Sequence, residues 1–221
     1  MGELLANYDV VGAFWVNIQL TFFSAIGALI LGTILAVMRI SPSAALRAAG
    51  TAYVNLVRNT PLTLIILSCW LVLWGQLGVN VSSDLQRNNF WMAVIGLAVY
   101  TAAFVCESLR SGFNTVPVGQ AEAARSIGLG FTQTVNLVIL PQAFRGAIAP
   151  LGNTLIALTK NSTVAAAASV LQASTVMQQM IEFDSNQGLA IFMVIALGFV
   201  AIVFPMGLLF TWLSKRLAVA R

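Results

Sequence analysis

QAEAARSIGLGFTQTVNLVILP, residues 120–141, decides how the rest of the chain is read. It is the longest polar, helix-favouring interruption in a sequence otherwise made of apolar runs, and it is rich in Ala, Gln, Glu and Arg. The pattern predicts a short amphipathic helix outside the lipid. Glu122 is expected in its first turn, where a carboxylate suits the positive end of the helix dipole. Gly128 and Gly130 are expected to end the helix and redirect the chain. A helix, a glycine stop and a return into the membrane make a knob that a soluble partner could grip.

The apolar runs on either side fix the class. Of 221 residues 59% are hydrophobic and 8% charged, against roughly 25% charged in a soluble domain. One spanning helix needs ~20 mostly apolar residues, so the chain has room for about five or six spans and no soluble catalytic domain. The net charge of +4 does not imply nucleic acid, because in a membrane chain the position of charges matters more than their sum. Histidine is absent, which removes the commonest general base and metal ligand. Cys69 and Cys106 lie in apolar runs without a CxxC pattern, so neither a disulfide nor a metal framework is expected. The start, MGELLANYDV, carries Glu3 and Asp9 where a cleavable signal would be positive, so the first span is expected to be retained.

The expected architecture is an all-α membrane protein, one domain over residues 1–221, with spans near 12–38, 53–77, 90–113, 142–168 and 189–213. A polar loop over 117–136 separates the third span from the fourth. Asn17, Gln19, Thr21, Ser24 and several glycines in the first span suit close helix packing. Pro61 should bend the second span and Pro205 is placed to kink the last. Glu107 and Arg110, three apart, can pair on one helix face. Arg39, Arg47, Arg125, Lys215, Arg216 and Arg221 fall on one side, while Glu3, Asp9, Asp84, Glu182, Asp184 and a single cation, Arg87, fall on the other. Because basic residues collect in the cytoplasm, the N-terminus is expected outside and the C-terminus inside, with the knob in the cytoplasm.

NTLIALTKNSTV, residues 153–164, is polar at membrane depth. As a helix it puts Asn153, Thr154, Ala157, Lys160, Asn161 and Val164 on one face and Leu151, Leu155 and Leu158 on the other. An ionisable group at such depth borders a water-filled cavity or an acidic partner, and is a functional-site hypothesis. Lys160 could equally pair with carbonyls or a carboxylate where two subunits meet.

Glu122, Ala123, Ala124, Gly128 and the run Val138-Ile139-Leu140-Pro141 resemble the E-A-A-x3-G-x9-I-x-L-P loop of ABC importer permeases, with Val138 in place of Ile. Arg58-Asn59-Thr60-Pro61-Leu62 resembles the R-G-T-P-L motif of the polar amino acid group of these permeases, with Asn59 in place of Gly. Ala103-Phe104-Val105-Cys106-Glu107-Ser108-Leu109-Arg110 is similar to its A-Y-x-A-E-x-x-R stretch. Residues 153–163 resemble its N-E-F-I-x-x-x-K-D-T-S segment, whose two acidic positions hold cationic substrates in some relatives; here they are Thr154 and Asn161. The combination, with GNTLIALTKN and the closing SKRLAV, looks most like a glutamate-uptake permease of actinobacterial type.

That resemblance implies a type I importer permease with a cytoplasmic coupling helix between spans three and four, in a bacterial cell membrane. Glu122, Ala123, Ala124, Gly128, Leu140 and Pro141 would engage an ABC ATPase subunit. Thr60, Thr101, Asn153, Thr154, Lys160 and Asn161 would face substrate. Loss of both carboxylates with Lys160 kept favours an acidic amino acid, glutamate or aspartate, over glutamine. Further partners implied are a second permease, identical or not, an extracytoplasmic amino acid-binding protein and membrane lipid. No cofactor is expected, since the chain has no phosphate-binding G-x-x-x-x-G-K-[ST] loop and ATP would be bound by the partner. Alternatives are the structural half of a heterodimer for glutamine or another polar amino acid, with ligand contacts in the other half, a passive channel, and an intramembrane hydrolase using Ser162 and Lys160.

Overall fold

The computed structural model describes residues 7–217; the charges of Glu3 and Arg221 used in the topology argument lie outside that range. Among the described residues the chain is almost wholly helical and contains no strand. It opens with α1, Val10–Ile40, whose first turn is capped by the Asp9 carboxylate accepting from the Gly12 amide at 2.8 Å. The helix stops at Ser41 because Pro42 forces the residue before it into extended backbone. A stripe on α1, including Asn17, Leu20, Ser24, Ala28, Gly32 and Leu35, is buried, and its small members let α1 lie close against α4.

The second expected span is two helices. α2, Ala44–Arg58, begins well before residue 53, and α3, Leu62–Gln76, leaves it at a bend of 107°. Pro61 supplies the break: the Thr60 amide turns to the Val57 carbonyl at 3.2 Å, Thr60 Oγ1 donates to the Leu56 carbonyl at 2.8 Å, and Asn59 Nδ2 adds a bond to the Asn55 carbonyl at 2.7 Å. Beyond Ser68 α3 widens into a π-helical stretch, Cys69–Gln76.

α4, Leu85–Phe113, is the central element, with buried residues along its whole length. Asp84 caps it by accepting from the Arg87 amide at 2.8 Å. Tyr53 on α2 donates to the Val99 carbonyl at 2.9 Å, and the Trp70 indole on α3 to Asn89 at 2.9 Å. α5, Val118–Ser126, and α6, Phe131–Thr134, form the exposed hairpin. The chain then runs without a loop through π-helical Val135–Ile139 into α7, Leu140–Gly146.

α8, Ile148–Asn161, tightens into a 3₁₀ helix, Ser162–Ala168, and turns at Ser169 in left-handed backbone (φ 56°). α9, Ala173–Phe183, follows at 59° to it. Asn17 of α1 fastens this turn: its amide donates to Ser162 Oγ at 2.7 Å and Gln172 Oε1 at 3.2 Å, and its carbonyl accepts from the Ala173 amide at 2.9 Å. α10, Gly188–Leu217, carries Pro205 inside it and exposes a long apolar face.

Helices α1, α4 and α10 are each long and apolar enough to cross a membrane, and the two bent pairs bring the number to five if each is one crossing. Cys69 and Cys106 are buried free thiols.

Candidate functional site

Pro117 starts the hairpin. Its fixed φ of −60° with extended ψ places it just before α5, so the helix begins at Val118. This corrects the reading of Glu122: it stands in the second turn, the first turn holds no acidic residue, and the dipole argument for it fails. What it has instead is exposure. Glu122 and Ala123 face outward, while Ala124 is buried and its carbonyl accepts from the Leu129 amide at 3.1 Å. Gly128 has φ +89°, a conformation that L side chains rarely adopt, and it makes the turn. Gly130 has ordinary extended backbone, and its amide donates to Gln133 Oε1 at 3.1 Å. Leu140, half-buried, and Pro141, exposed, open α7. At the base of the hairpin α4 and α7 touch so closely that a Cβ on Gly112 would collide with the Ala143 carbonyl.

A cavity of about 370 Å³ lies between α4 and α8. Tyr100, Thr101 and Phe104 form one wall; Asn153, Thr154, Ala157, Leu158 and Asn161 form the other. Four of the six residues named as substrate-facing therefore come together: Thr101, Asn153, Thr154 and Asn161. Thr154 is tied across the gap, 3.0 Å from Ser108 Oγ and bonded to the Pro150 carbonyl. The amides of Asn153 and Asn161 make no hydrogen bond to a described residue, which leaves donors and acceptors of both kinds available. No carboxylate lines the cavity.

Lys160 and Thr60 are not in that lining. Lys160 is exposed on the flank of α8, and the Thr60 hydroxyl is spent on the Leu56 carbonyl at the α2–α3 break. Val164 also leaves the face, because the helix tightens after Asn161 and its residues no longer follow the 3.6 period. Ser162 is buried and bonded to Asn17 and the Thr159 carbonyl, so its hydroxyl is not paired with Lys160 as a Ser-Lys dyad would need.

Behind the cavity wall lies a charge cluster of which the sequence indicated only one pair. Glu107 accepts from Arg110 at 3.5 Å, as its spacing suggested. It also pairs closely with Arg39 of α1, and Arg58 of α2 lies 3.9 Å away. The Arg58 guanidinium sits 5.7 Å above the ring of Phe104, a cavity-lining residue. Among the described residues no three Cys, Asp or Glu side chains are close enough to hold a metal ion.

Residues 28–219 match the family described as binding-protein-dependent transport system inner membrane component. The chain belongs to this family. It is 54% identical over 218 residues to glutamate transport system permease proteins of Corynebacterium efficiens and Corynebacterium glutamicum, covering 96% of each chain. It is 33% identical over 218 residues, 97% of this chain and 96% of the other, to a probable glutamine ABC transporter permease of Bacillus subtilis. Among solved structures the chain superposes on an amino acid ABC transporter with a TM-score of 0.78 at 24% identity, covering 94% and 93% of the two chains. An inward-facing methionine ABC transporter gives 0.75 at 20% identity over 95% and 96%.

Family membership fixes the molecular role as the membrane-embedded permease subunit of an ABC importer. ATP hydrolysis and substrate capture belong to partner subunits, and the permease is not itself an enzyme. The all-helical fold with an exposed hairpin between α4 and α7 is that of type I importer permeases.

Proposed function

We propose that this permease carries an acidic amino acid, glutamate or aspartate, through the cavity between α4 and α8. In this reading Thr101, Asn153, Thr154 and Asn161 contact the substrate, while Thr60 and Lys160, outside the lining, do not. The observation that carries the proposal is mechanical: α4, one wall of the cavity, leads directly into the exposed hairpin, and α8, the other wall, follows the hairpin through α7. Force applied to α5 passes down α4 on one side and, through α6, α7 and the turn at Ala147, into α8 on the other. Glu122, Ala123, Ala124, Gly128, Leu140 and Pro141 form the handle for an ABC ATPase, and closure of two ATPases would move two handles together. Affinity need differ only between the two cavity states for transport to follow.

The choice of an acidic substrate is supported by the cavity chemistry and by the named role of the corynebacterial relatives, which are glutamate permeases. A lining whose polar groups are amides and hydroxyls set among apolar side chains, with no carboxylate from a described residue, does not repel an anion, and arginines stand behind the wall. In this reading the hairpin and C-terminus face the cytoplasm and the N-terminus the outside, which the charge distribution along the sequence supports. The single domain is completed by a second permease, identical or closely similar, and substrate arrives from an extracytoplasmic binding protein.

Reconstitution of the native complex in liposomes tests this reading. ATP-dependent accumulation of labelled glutamate should be competed by glutamate and aspartate, less by glutamine and not by arginine. Competition by arginine equal to that by glutamate would overturn the acidic assignment.

A further inference from the structure

A second cavity, of about 580 Å³, opens on another flank of α4, between the end of α1, the start of α2 and the last turns of α4. Its volume is in the ordinary range of ligand pockets, ~300–1,000 Å³. Arg39, Arg47 and Arg110 line it, set among Ala44, Ala48 and Phe113. The fixed charge here is unbalanced. Three guanidiniums, those of Arg39, Arg58 and Arg110, gather around one carboxylate, Glu107, and Arg47 adds a further cation with no carboxylate of its own.

Their hydrogen bonds to described residues use a single nitrogen each. Arg39 Nη1 serves Glu107 and Cys106, Arg110 Nη1 serves Glu107, and Arg47 Nη1 serves the Ser41 and Pro42 carbonyls, both at 2.8 Å. The remaining N–H groups, in planar forks that match phosphate oxygens, have no acceptor among the described residues. Arg47 and Arg110 are exposed at this end of the bundle, so their forks are open to an anion at the membrane surface. The position of the cleft is also specific: it sits where α1 ends and the chain turns at Ser41 and Pro42, the end of the bundle from which the hairpin emerges. Leu46 and Leu56 beside it on α2 are exposed apolar side chains of the kind that face lipid tails.

We infer that this cleft is a binding site for a phosphate-type anion, the headgroup phosphate of an anionic membrane lipid. Arg47 and Arg110 supply the open forks, and Arg39, held by Glu107, fixes the floor. The lipid would join α2 to the base of the hairpin from outside the bundle. The inference goes beyond the transport reading and stands whichever amino acid the other cavity takes.

Native mass spectrometry of the purified full-length permease tests it. Wild type is exposed in turn to phosphatidylglycerol, to phosphatidylcholine with the same acyl chains, and to inorganic phosphate. Phosphatidylglycerol adducts should survive detergent exchange where phosphatidylcholine adducts do not. Each basic residue near a lipid surface contributes enough for roughly a fivefold change, so Arg47→Gln with Arg110→Gln should weaken retention roughly twentyfold. Either single variant should show about fivefold if the double variant does not fold. Arg87→Gln, at the other end of α4, is the control and should retain the lipid. Retention of inorganic phosphate at the same arginines without preference between the lipids would keep the anion site and change its source to the free ion. Equal loss in Arg87→Gln, or no preference for phosphatidylglycerol with no phosphate held, overturns the site.

Discussion

Restoring one charge in the cavity gives the sharpest test of the substrate reading. Asn161 lines the cavity with an amide, and Asn161→Asp replaces the amide nitrogen by an oxygen, giving a carboxylate of nearly the same size. The α-carboxylate and α-ammonium of an amino acid nearly cancel at a distance, so the side-chain carboxylate of glutamate is what a new charge senses. If glutamate occupies this cavity of about 370 Å³ with its side-chain carboxylate about 6 Å from residue 161, then at an effective dielectric of ~20 the two like charges repel by about 3 kcal/mol, roughly a hundredfold in affinity. Glutamine, neutral in its side chain, should change by less than about threefold, the effect of a substitution worth ~0.5 kcal/mol. The assay is competition for uptake of labelled glutamate and labelled glutamine in liposomes carrying the complex at neutral pH. If glutamate and glutamine fall together, or if neither changes, the electrostatic account of selectivity is wrong.

Reversing the exposed charge in Glu122→Lys should abolish ATP-driven uptake while leaving permease stability within about 0.5 kcal/mol, as measured by thermal denaturation in detergent. Asn17→Ala removes three buried hydrogen bonds at the turn between α8 and α9 and strands the Ala173 amide, while Ser162 and Gln172 keep other partners, so it should cost roughly 3 kcal/mol in the same assay. Gly112→Ala pushes a methyl into the Ala143 carbonyl, and overpacking of this kind should cost about 1–3 kcal/mol. Tyr8 donates to Asp184 at 2.8 Å, and that bond, with the nearby carboxylate charge, holds the phenol above its ordinary value of 10.0. Since the neutral phenol is the bonded form, the contact is intact below pH ~10 and is lost as pH rises through the elevated value; ultraviolet titration should show a late-ionising tyrosine that Tyr8→Phe removes.

The hairpin and the membrane class were legible because they rest on local signals: long apolar runs, a polar interruption and a spaced motif. The α4 and α8 cavity was partly legible, since a 3.6 period placed Asn153, Thr154 and Asn161 on one face. That same period misplaced Val164, because nothing in the run STVAAAA announces a 3₁₀ helix. Lys160 lies on the edge of the face, and which edge meets α4 is a tertiary fact. Pro61 marked the break in the second span, but the 107° angle and the start at Ala44 follow from packing of α2 against α1 and α4. Pro117 was read as loop rather than as a helix start, which misplaced Glu122 by a turn. The arginines around Glu107 come from three helices, and no spacing rule brings Arg39 or Arg58 to residue 107.

That last pairing bears on how the molecule is made. Arg58 closes α2, and the carboxylate that meets it at 3.9 Å belongs to α4, synthesised much later. A nascent α2, with Arg47 near its start and Arg58 at its end, emerges before its counter-ion exists and gains little by entering hydrocarbon alone. The contact between Arg58 and Glu107 can form only once α4 has been made, so α2 acquires its counter-charge from a helix that follows it in the chain.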